Sequence, residues 1–597
     1  MGSHFRFGLV PSNVASYRVL GRLTHLMRVY YHSPLPPAKT GIADYSVELL
    51  PLLAKHVDVE LVAARDALTD ADRALAHELG VGCVTYSDRS TRASAGALDI
   101  YQLGNNTHHF EILLRSITRP GLAVIHDASF MGLLSSVGSE LRDRFTEYEL
   151  GAAAQEFVSA QRSFLLYHWQ EFLVRNLGLV VDSSKGVLVH SDYAFRLISR
   201  RYRQPNVHRI HHHVAEAFTS SVNSRLENAS AASFLLANRG RLKIGTFGFL
   251  TPPKRIDWLV KAFSHALQKG LDGALLLAGE PHRDTGIDRL VADLPPERVC
   301  VTGFLSETDM RSLMSSIDLQ VSLRFPSVGE SSGTLTRSLG LGTPAIVTDH
   351  ESFGDFSSDM VEKVRLDAGI VDSLACAFLS LAEDPGRFRE KGRKAREWVL
   401  KHASLAKSVE GYVEAIRAAS SARGRVIFPD IAGEVQNCVE KSFSERFDKP
   451  GPGLLKEVAD RLFRAQPLRR LSSNFGCELL VTDSGEELTP EELVESGAPL
   501  LQAGGRKLVV NVSSTEITAD ELHVLRTTLG CSRFDLLALV LVDIRACRRP
   551  PAPQRWAAHQ GLDPKGFRTR SRGKVQLRGP ETIESLGSAM IVVLEVL

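Results

Sequence analysis

A chain of 597 residues with 44% hydrophobic and 23% charged residues carries enough apolar side chains for several ordinary globular cores. At about 100–200 residues per domain it should divide into three or four units. The formal net charge of +2 names no charged partner, and seven scattered cysteines, odd in number and without a C-x-x-C pair, argue against a disulfide scaffold and for reduced thiols in the cytoplasm.

Residues 1–26 read as an N-terminal extension, with Arg6, Arg18 and Arg22 but neither an acid nor an apolar centre up to His25. We expect Met27 to be the natural start, because the first strand begins directly after it. No apolar run approaches the ~18–20 residues needed to cross a bilayer; the longest, Leu536–Val542, has the length of a strand.

Residues 27–235 alternate strand candidates (Met27–Tyr31, Val59–Ala63, Ile100–Leu103, Leu122–His126, Gly186–His190) with helical stretches such as Ile42–Lys55 and Ala67–Leu79. That alternation predicts a doubly wound α/β domain. The polar segment Thr219–Ser233 reads as a linker. Residues 236–420 repeat the pattern, with strands at Leu242–Phe247, Ala274–Ala278, Val299–Thr302, Leu319–Ser322 and Ala345–Thr348. Helices are expected at Ile256–Gln268, Thr308–Ser315 and Ser373–Glu383, and two longer ones, Pro385–Lys401 and Leu405–Ala419, should close the unit. Two such domains form a cleft at the carboxyl ends of their strands.

Residues 421–597 read as a small α/β or α+β accessory domain. Its strand candidates are Leu479–Val481, Lys507–Val512, Leu536–Val542 and Met590–Val596, and capping boxes at Thr489/Glu492 and Thr518/Glu521 open two helices. Within it Arg545–Arg578 reads as a long basic loop. It is either simply solvated or a peripheral contact with anionic lipid at the inner face of a membrane or with an acidic glycan. Nucleic acid is disfavoured as a partner, because only Trp556 and Phe567 offer stacking faces there.

Several strand ends carry chemistry. After the first strand, His32–Tyr45 is a proline-stiffened loop whose Gly41 permits close backbone approach at a helix start, a place for a diphosphate or a plain turn. His126-Asp127 follows a strand directly, and Lys254-Arg255 follow the loop Gly248–Pro253 with two cations suited to a diphosphate. From Arg324 to Asp349 an acid, Glu330, precedes the turn Ser331, Ser332, Gly333 and an amphipathic helix. This sets a carboxylate and free backbone N–H groups at one helix N-terminus, as a ligand with hydroxyls and phosphates requires. Asp70-Ala71-Asp72 lies in a helical pattern and reads as a solvated helix surface rather than a metal-binding D-x-D. His211-His212-His213 reads as a loop before the linker, since neighbours on an extended segment face opposite ways.

Four stretches, YYHSPLPPAKTGIADYS, YQLGNNTHH with VIHD, GTFGFLTPPKRID and GESSGTLTRSLGLGTPAIV, together resemble the retaining glycosyltransferases of the two-Rossmann-domain GT-B fold, family 4, over roughly Met27–Ala419. The resemblance implies a cytoplasmic hexosyltransferase that moves a hexosyl unit, with mannosyl among the options, from a nucleotide sugar to a glycan or lipid-linked acceptor. The first domain would take the acceptor and the second the donor, with no cofactor and no metal. It implies that Gly41 faces the donor diphosphate, His126 the sugar's primary hydroxyl, Lys254 the diphosphate and Glu330 the sugar hydroxyls. Ser331, Ser332, Gly333, Thr334 and Leu335 would supply backbone groups. The family's second carboxylate falls here at Ser338, and its frequent arginine at Phe249, with Arg255 as the candidate substitute. Two other functions fit the same fold: a nucleotide-sugar epimerase, for which no second carboxylate is evident, and a catalytically silent sugar-binding or scaffold protein, for which the departures at Ser338 and Phe249 speak.

Overall fold

The computed structural model describes residues 26–424 apart from 39, 64–67, 87–95, 151–174, 203, 221–225, 326 and 367–368, together with the backbone of five strands between 536 and 595. The strand candidates at 479–481 and 507–512 and both C-terminal capping boxes lie outside the described residues.

The first lobe is built on a seven-stranded parallel sheet of order β3-β2-β1-β4-β5-β6-β7. Its strands are β1 (Arg28–His32), β2 (Asp58–Ala63), β3 (Gly82–Thr85), β4 (Leu98–Leu103), β5 (Leu122–Ile125), β6 (Gly186–Val189) and β7 (Val207–Arg209). The second lobe has a six-stranded parallel sheet of order β10-β9-β8-β11-β12-β13. It comprises β8 (Leu242–Phe247), β9 (Gly273–Ala278), β10 (Val299–Val301), β11 (Leu319–Ser322), β12 (Ala345–Thr348) and β13 (Glu362–Val364). Central strands such as β5, β6 and β9 are buried at every residue, because helices cover both faces of a parallel sheet. These are the runs that read as continuous apolar segments. The strands absent from the sequence reading, β3, β7 and β13, have three or four residues each and lie at or beside sheet edges, where little apolar patterning is needed.

Asp70-Ala71-Asp72 opens a helix as expected, Asp72 closing a capping box with Thr69. Two expectations change. Helix Ala229–Ala237 occupies part of the segment read as a linker, with Asn228 accepting a hydrogen bond from Ala231 N–H as its cap. The helix Leu405–Ser421, expected to close the second unit, instead sets Val409, Tyr412, Ala415, Ile416 and Ala419 among the core residues of the first lobe. The chain therefore crosses between lobes twice. Ile210 belongs to the first lobe's core and Val214 to the second's; Ala403 belongs to the second and Val409 to the first. The two crossings run side by side, Val214 N–H donating to the Ala403 carbonyl at 2.9 Å, and form the hinge.

Beyond the lobes, β14 (Leu536–Leu541), β15 (Phe567–Arg570), β16 (Lys574–Leu577), β17 (Thr582–Leu586) and β18 (Ile591–Glu595) form an antiparallel sheet of order β14-β18-β17-β16-β15. Arg545–Arg578 is thus not one long loop: β15 and β16 pair within it, with Arg570 opposite Lys574. Among the described residues no helix is long and apolar enough to cross a membrane.

Candidate active site between the lobes

The second lobe contributes an ionic wall. Lys254 ends a short 3-10 turn after β8, and its side chain is buried with the ammonium donating to the Phe247 carbonyl. It forms no ion pair among the described residues. Burial, and the charge of Arg324, hold its pKa well below the usual lysine value. Gly248 has φ +82, and a Cβ there would stand 2.9 Å from Lys254 Nζ and 3.3 Å from the Thr334 methyl. The lysine, the glycine turn and the start of helix Gly333–Leu341 therefore converge.

That helix begins at Gly333 because Ser332 caps it, its hydroxyl accepting from Leu335 N–H at 3.2 Å. The cap corrects one expectation, since Leu335 N–H is already satisfied within the protein. Gly333 and Thr334, the first two helical residues, have N–H groups with no acceptor inside the helix. Glu330 stands just before the cap. Arg324 Nε donates to its Oε1 at 2.7 Å, and the Ser327 hydroxyl and Val328 N–H donate to its Oε2 at 2.9 and 2.8 Å. Its carboxylate is thus held rigidly at the cleft, one face toward a cavity shared with Ser331 and Ser332.

Two expected site positions are turned elsewhere. The Arg255 guanidinium pairs with Asp257 at 2.5 Å and lies 4.3 Å over the Trp258 ring, in the second lobe's core, so its reading as a diphosphate contact loses geometric support. Ser338 is fully buried and its hydroxyl has no hydrogen-bond partner, so it does not replace the missing second carboxylate. In the first lobe Asp127 accepts from Asn105 N–H at 2.7 Å, and burial together with the charge of Glu330 raises its pKa to about 6. Sequence order hides this influence, because the two acids are about two hundred residues apart.

The first lobe presents a wall of neutral imidazoles. His126, at the end of β5, donates from Nε2 to Gln102 Oε1 at 2.7 Å, which leaves Nδ1 as an acceptor. Gln102 in turn donates to the Tyr412 hydroxyl at 3.2 Å, so the helix that returns from the second lobe orients the histidine. Tyr45 packs edge-on against His126 (ring centroids 4.9 Å apart) and also touches His190, His212 and His213. The H-H-H run is therefore part of the cleft wall and not a bystander loop, with His212 and His213 close to the Tyr45 ring. Burial, then the mutual repulsion of the rings, lowers the pKa of His126 and His190 far below the ordinary value, and His212 falls to about 3. Four histidines meet here, yet among the described residues no group of three His, Cys, Asp or Glu is placed to hold a metal ion. Gly41 opens helix Gly41–Leu53 behind its Thr40 cap, and a Cβ there would meet no protein atom within 4 Å.

Side chains that sequence reading did not single out join the lobes. Glu48, on the first lobe's helix Gly41–Leu53, binds Arg337 at 2.5 Å and His213 at 3.1 Å, and these partners lower its pKa to about 2 against the opposing effect of burial. Glu351 is fully buried in the left-handed region (φ +46). It accepts from Arg175 at 2.9 Å and Tyr193 at 3.0 Å in the first lobe, and from Gly329 N–H at 2.7 Å. Ser352 donates to the Gly329 carbonyl at 3.0 Å and meets the Ser191 hydroxyl at 3.1 Å. Both backbone groups of the residue before Glu330 are thus clasped by side chains that also touch the other lobe. Gly329 itself has φ +73, and a Cβ there would strike Ala128 and Tyr193.

Residues 241–384, the stretch that carries Lys254, Glu330 and Glu351, match the protein-family model described as Glycosyl transferases group 1. No curated protein sequence gives a significant match. Similar solved structures include Alr3699/HepE of Anabaena in complex with UDP, with 13% identity, covering 66% of this chain and all of that one at a TM-score of 0.47. They also include the sucrose-phosphate synthase of Thermosynechococcus elongatus, with 14% identity, 66% and 98% coverage and a TM-score of 0.46. WaaG, a glycosyltransferase involved in lipopolysaccharide biosynthesis, is similar at 11% identity, 64% and 98% coverage and a TM-score of 0.42. The described chain has two parallel α/β lobes, and the match over the second of them supports glycosyl transfer.

Proposed function

We propose that the protein is a retaining GT-B hexosyltransferase of family 4 that moves a hexosyl unit from a nucleotide sugar to a glycan or lipid-linked acceptor. The observation that carries this reading is Lys254: a buried ammonium without a counter-ion, set against a glycine turn and the first free N–H groups of helix Gly333–Leu341. An arriving diphosphate would supply a counter-ion to the lysine, which has none among the described residues. The dipole of the helix and the Gly333 and Thr334 N–H groups would share the negative charge that grows as the glycosyl–oxygen bond breaks.

Glu330, held by Arg324 and its own loop, would fix the sugar hydroxyls, and neutral His126 would accept a hydroxyl proton at Nδ1 while Gln102 keeps its other nitrogen occupied. Gly41 leaves open space at the facing helix start. With no nucleophilic side chain required, the leaving phosphate takes the acceptor proton on the same face of the sugar, which retains configuration. The interlobe pairs Glu48–Arg337 and Arg175–Glu351 would favour the closed state, in which water is kept from the donor. In this reading neither metal nor cofactor takes part.

A thermal-shift screen of UDP-, GDP- and ADP-sugars, followed by an assay for transfer to saccharide acceptors, tests the proposal. One donor class should raise the melting temperature by mass action, and Lys254→Ala should remove that rise. If no nucleotide sugar stabilises the protein, the proposal fails.

A further inference from the structure

A cavity of about 470 Å³ opens on the hinge side of the Glu330 loop, within the size range of small-molecule sites. Both interlobe crossings contribute to it, His211 and His212 from the first and His402 from the second, and Trp398 forms a side wall. Neither Lys254 nor His126 lines it, so it is not the place where the diphosphate would lie.

Its chemistry discriminates among ligands. Each of its four carboxylates already has a cation: Asp192 pairs with Arg209 at 2.9 Å, Glu330 with Arg324 at 2.7 Å, Asp355 with Arg196 at 3.1 Å and Asp359 with Lys394 at 3.8 Å. The wall therefore offers a phosphate no uncommitted cation. The histidines add none: burial lowers His211 to about 4 and His212 to about 3, so both are neutral near pH 7. Trp398 and Phe356, with ring centroids 5.8 Å apart, give the cavity an aromatic wall, while the hydroxyls of Ser331, Ser332 and Thr336 lie across it. At its inner end His190 is 4% exposed, and neither of its ring nitrogens has a hydrogen-bond partner. The Ile210 backbone is near enough to favour the protonated ring but does not reach hydrogen-bonding geometry. A neutral imidazole offers one donor and one acceptor, and leaving both buried and unmade is costly.

We infer that this hinge cavity is a binding site for an uncharged saccharide, stacked on Trp398 and hydrogen-bonded through its hydroxyls to His190 and the cavity's carboxylates. A sugar ring combines the required features: an apolar face for the indole, and hydroxyls that donate and accept at once. The site touches both crossings and the loop carrying Glu330, so its occupation bears on lobe closure. It adjoins the donor subsite of the proposed function, with which it shares Glu330, and extends from there to the hinge.

Saturation-transfer NMR and calorimetry on the full-length chain test it, with glucose, mannose, galactose, N-acetylglucosamine, maltose and cellobiose as probes and UDP and inorganic phosphate alongside. At least one saccharide should bind, and neither UDP nor phosphate should displace it. Trp398→Leu should weaken that binding about tenfold, the loss of an aromatic partner. Ser357→Trp, a plug at the exposed mouth that leaves the core untouched, should abolish it, and both variants should bind UDP as before. Silence across the saccharide panel, displacement by UDP, or unchanged binding in Ser357→Trp overturns the assignment. Saccharide binding without any nucleotide-sugar binding would leave this site standing and sink the transferase reading; the reverse pattern would do the opposite.

Discussion

The two walls of the cleft solve opposite electrostatic problems. On the second lobe, Lys254, Arg324 and Glu330 form an ionic wall in which one cation lacks a counter-ion. On the first lobe, His126, His190 and His212 are crowded around Tyr45 and kept uncharged by burial and by neighbouring rings, while His213 packs on the same ring and bonds Glu48. A charged wall attracts and stabilises an anion, whereas a neutral wall of donors and acceptors orients hydroxyls without repelling the incoming sugar's partner lobe. The difference teaches where charge development is expected: on the side of Lys254.

The contrast can be broken most directly at the ionic wall. Lys254→Ala should lower kcat by about 100- to 1,000-fold, the usual cost of removing one preorganised charge stabiliser. Glu330→Gln should lower kcat/KM less if the acid only holds hydroxyls. Steady-state kinetics with the donor identified by thermal shift would measure both, and a His126→Asn variant with a larger kcat defect than Lys254→Ala would reverse the assignment of the walls.

The clasp between lobes comes next. Arg175→Met leaves Glu351 buried without its ion pair, so the variant should lose about 3–5 kcal/mol of stability in denaturant unfolding. Because Glu351 also holds Gly329 N–H, the surviving folded protein should show a raised donor KM. An unaltered unfolding midpoint would show that the pair does not join the lobes in solution.

The neutral wall makes a prediction in pH. His212 is lowered to about 3, and His211 and His109, a buried residue behind the wall bonded to the Gln102 carbonyl, to about 4, each from an ordinary 6.5. The unfolded chain binds more protons than the folded one between these values. Stability is therefore fully present above pH 6.5 and is lost as the pH falls toward 3–4, by about 1.4 kcal/mol per pH unit for each group that is still neutral in the fold. Glu48, lowered to about 2, adds loss in the same direction between pH 4.5 and 2. Melting temperatures measured from pH 8 to 4 should fall steadily below 6.5; a flat profile would mean the imidazoles are hydrated and not sequestered.

The smallest effect lies at the helix cap. Ser332→Ala should cost about 1 kcal/mol through loss of the bond to Leu335 N–H. It should sharpen the donor effect by freeing that N–H, which a modest change in UDP affinity would register.

Much of the architecture was readable because parallel strands buried on both faces must be apolar throughout. β8, β11 and β12 fall where the run of residues 242–247, 319–322 and 345–348 placed them. Helices with one apolar face were equally legible, as at Ile256–Gln268. Short polar strands such as Glu362–Val364 were not, since three residues at an edge need no pattern. In the site, Lys254 and Glu330 could be singled out because each sits in a local motif of turn and helix start. Arg255 could not be judged, because whether a side chain turns to Asp257 and Trp258 or into a cleft depends on a backbone φ of +51 that its neighbours do not announce.

By itself the amino-acid order determined which segments become strands and helices and where strand ends meet helix starts, since both follow from local periodicity, capping and burial. Only the tertiary structure decided that Leu405–Ser421 returns to the first lobe, that the charge of Glu330 reaches Asp127 while Ser338 is buried away, and that His212 and His213 pack against Tyr45. Those outcomes join residues up to several hundred positions apart, and contacts of that kind are set by how two closed cores fit together rather than by any pattern along the chain.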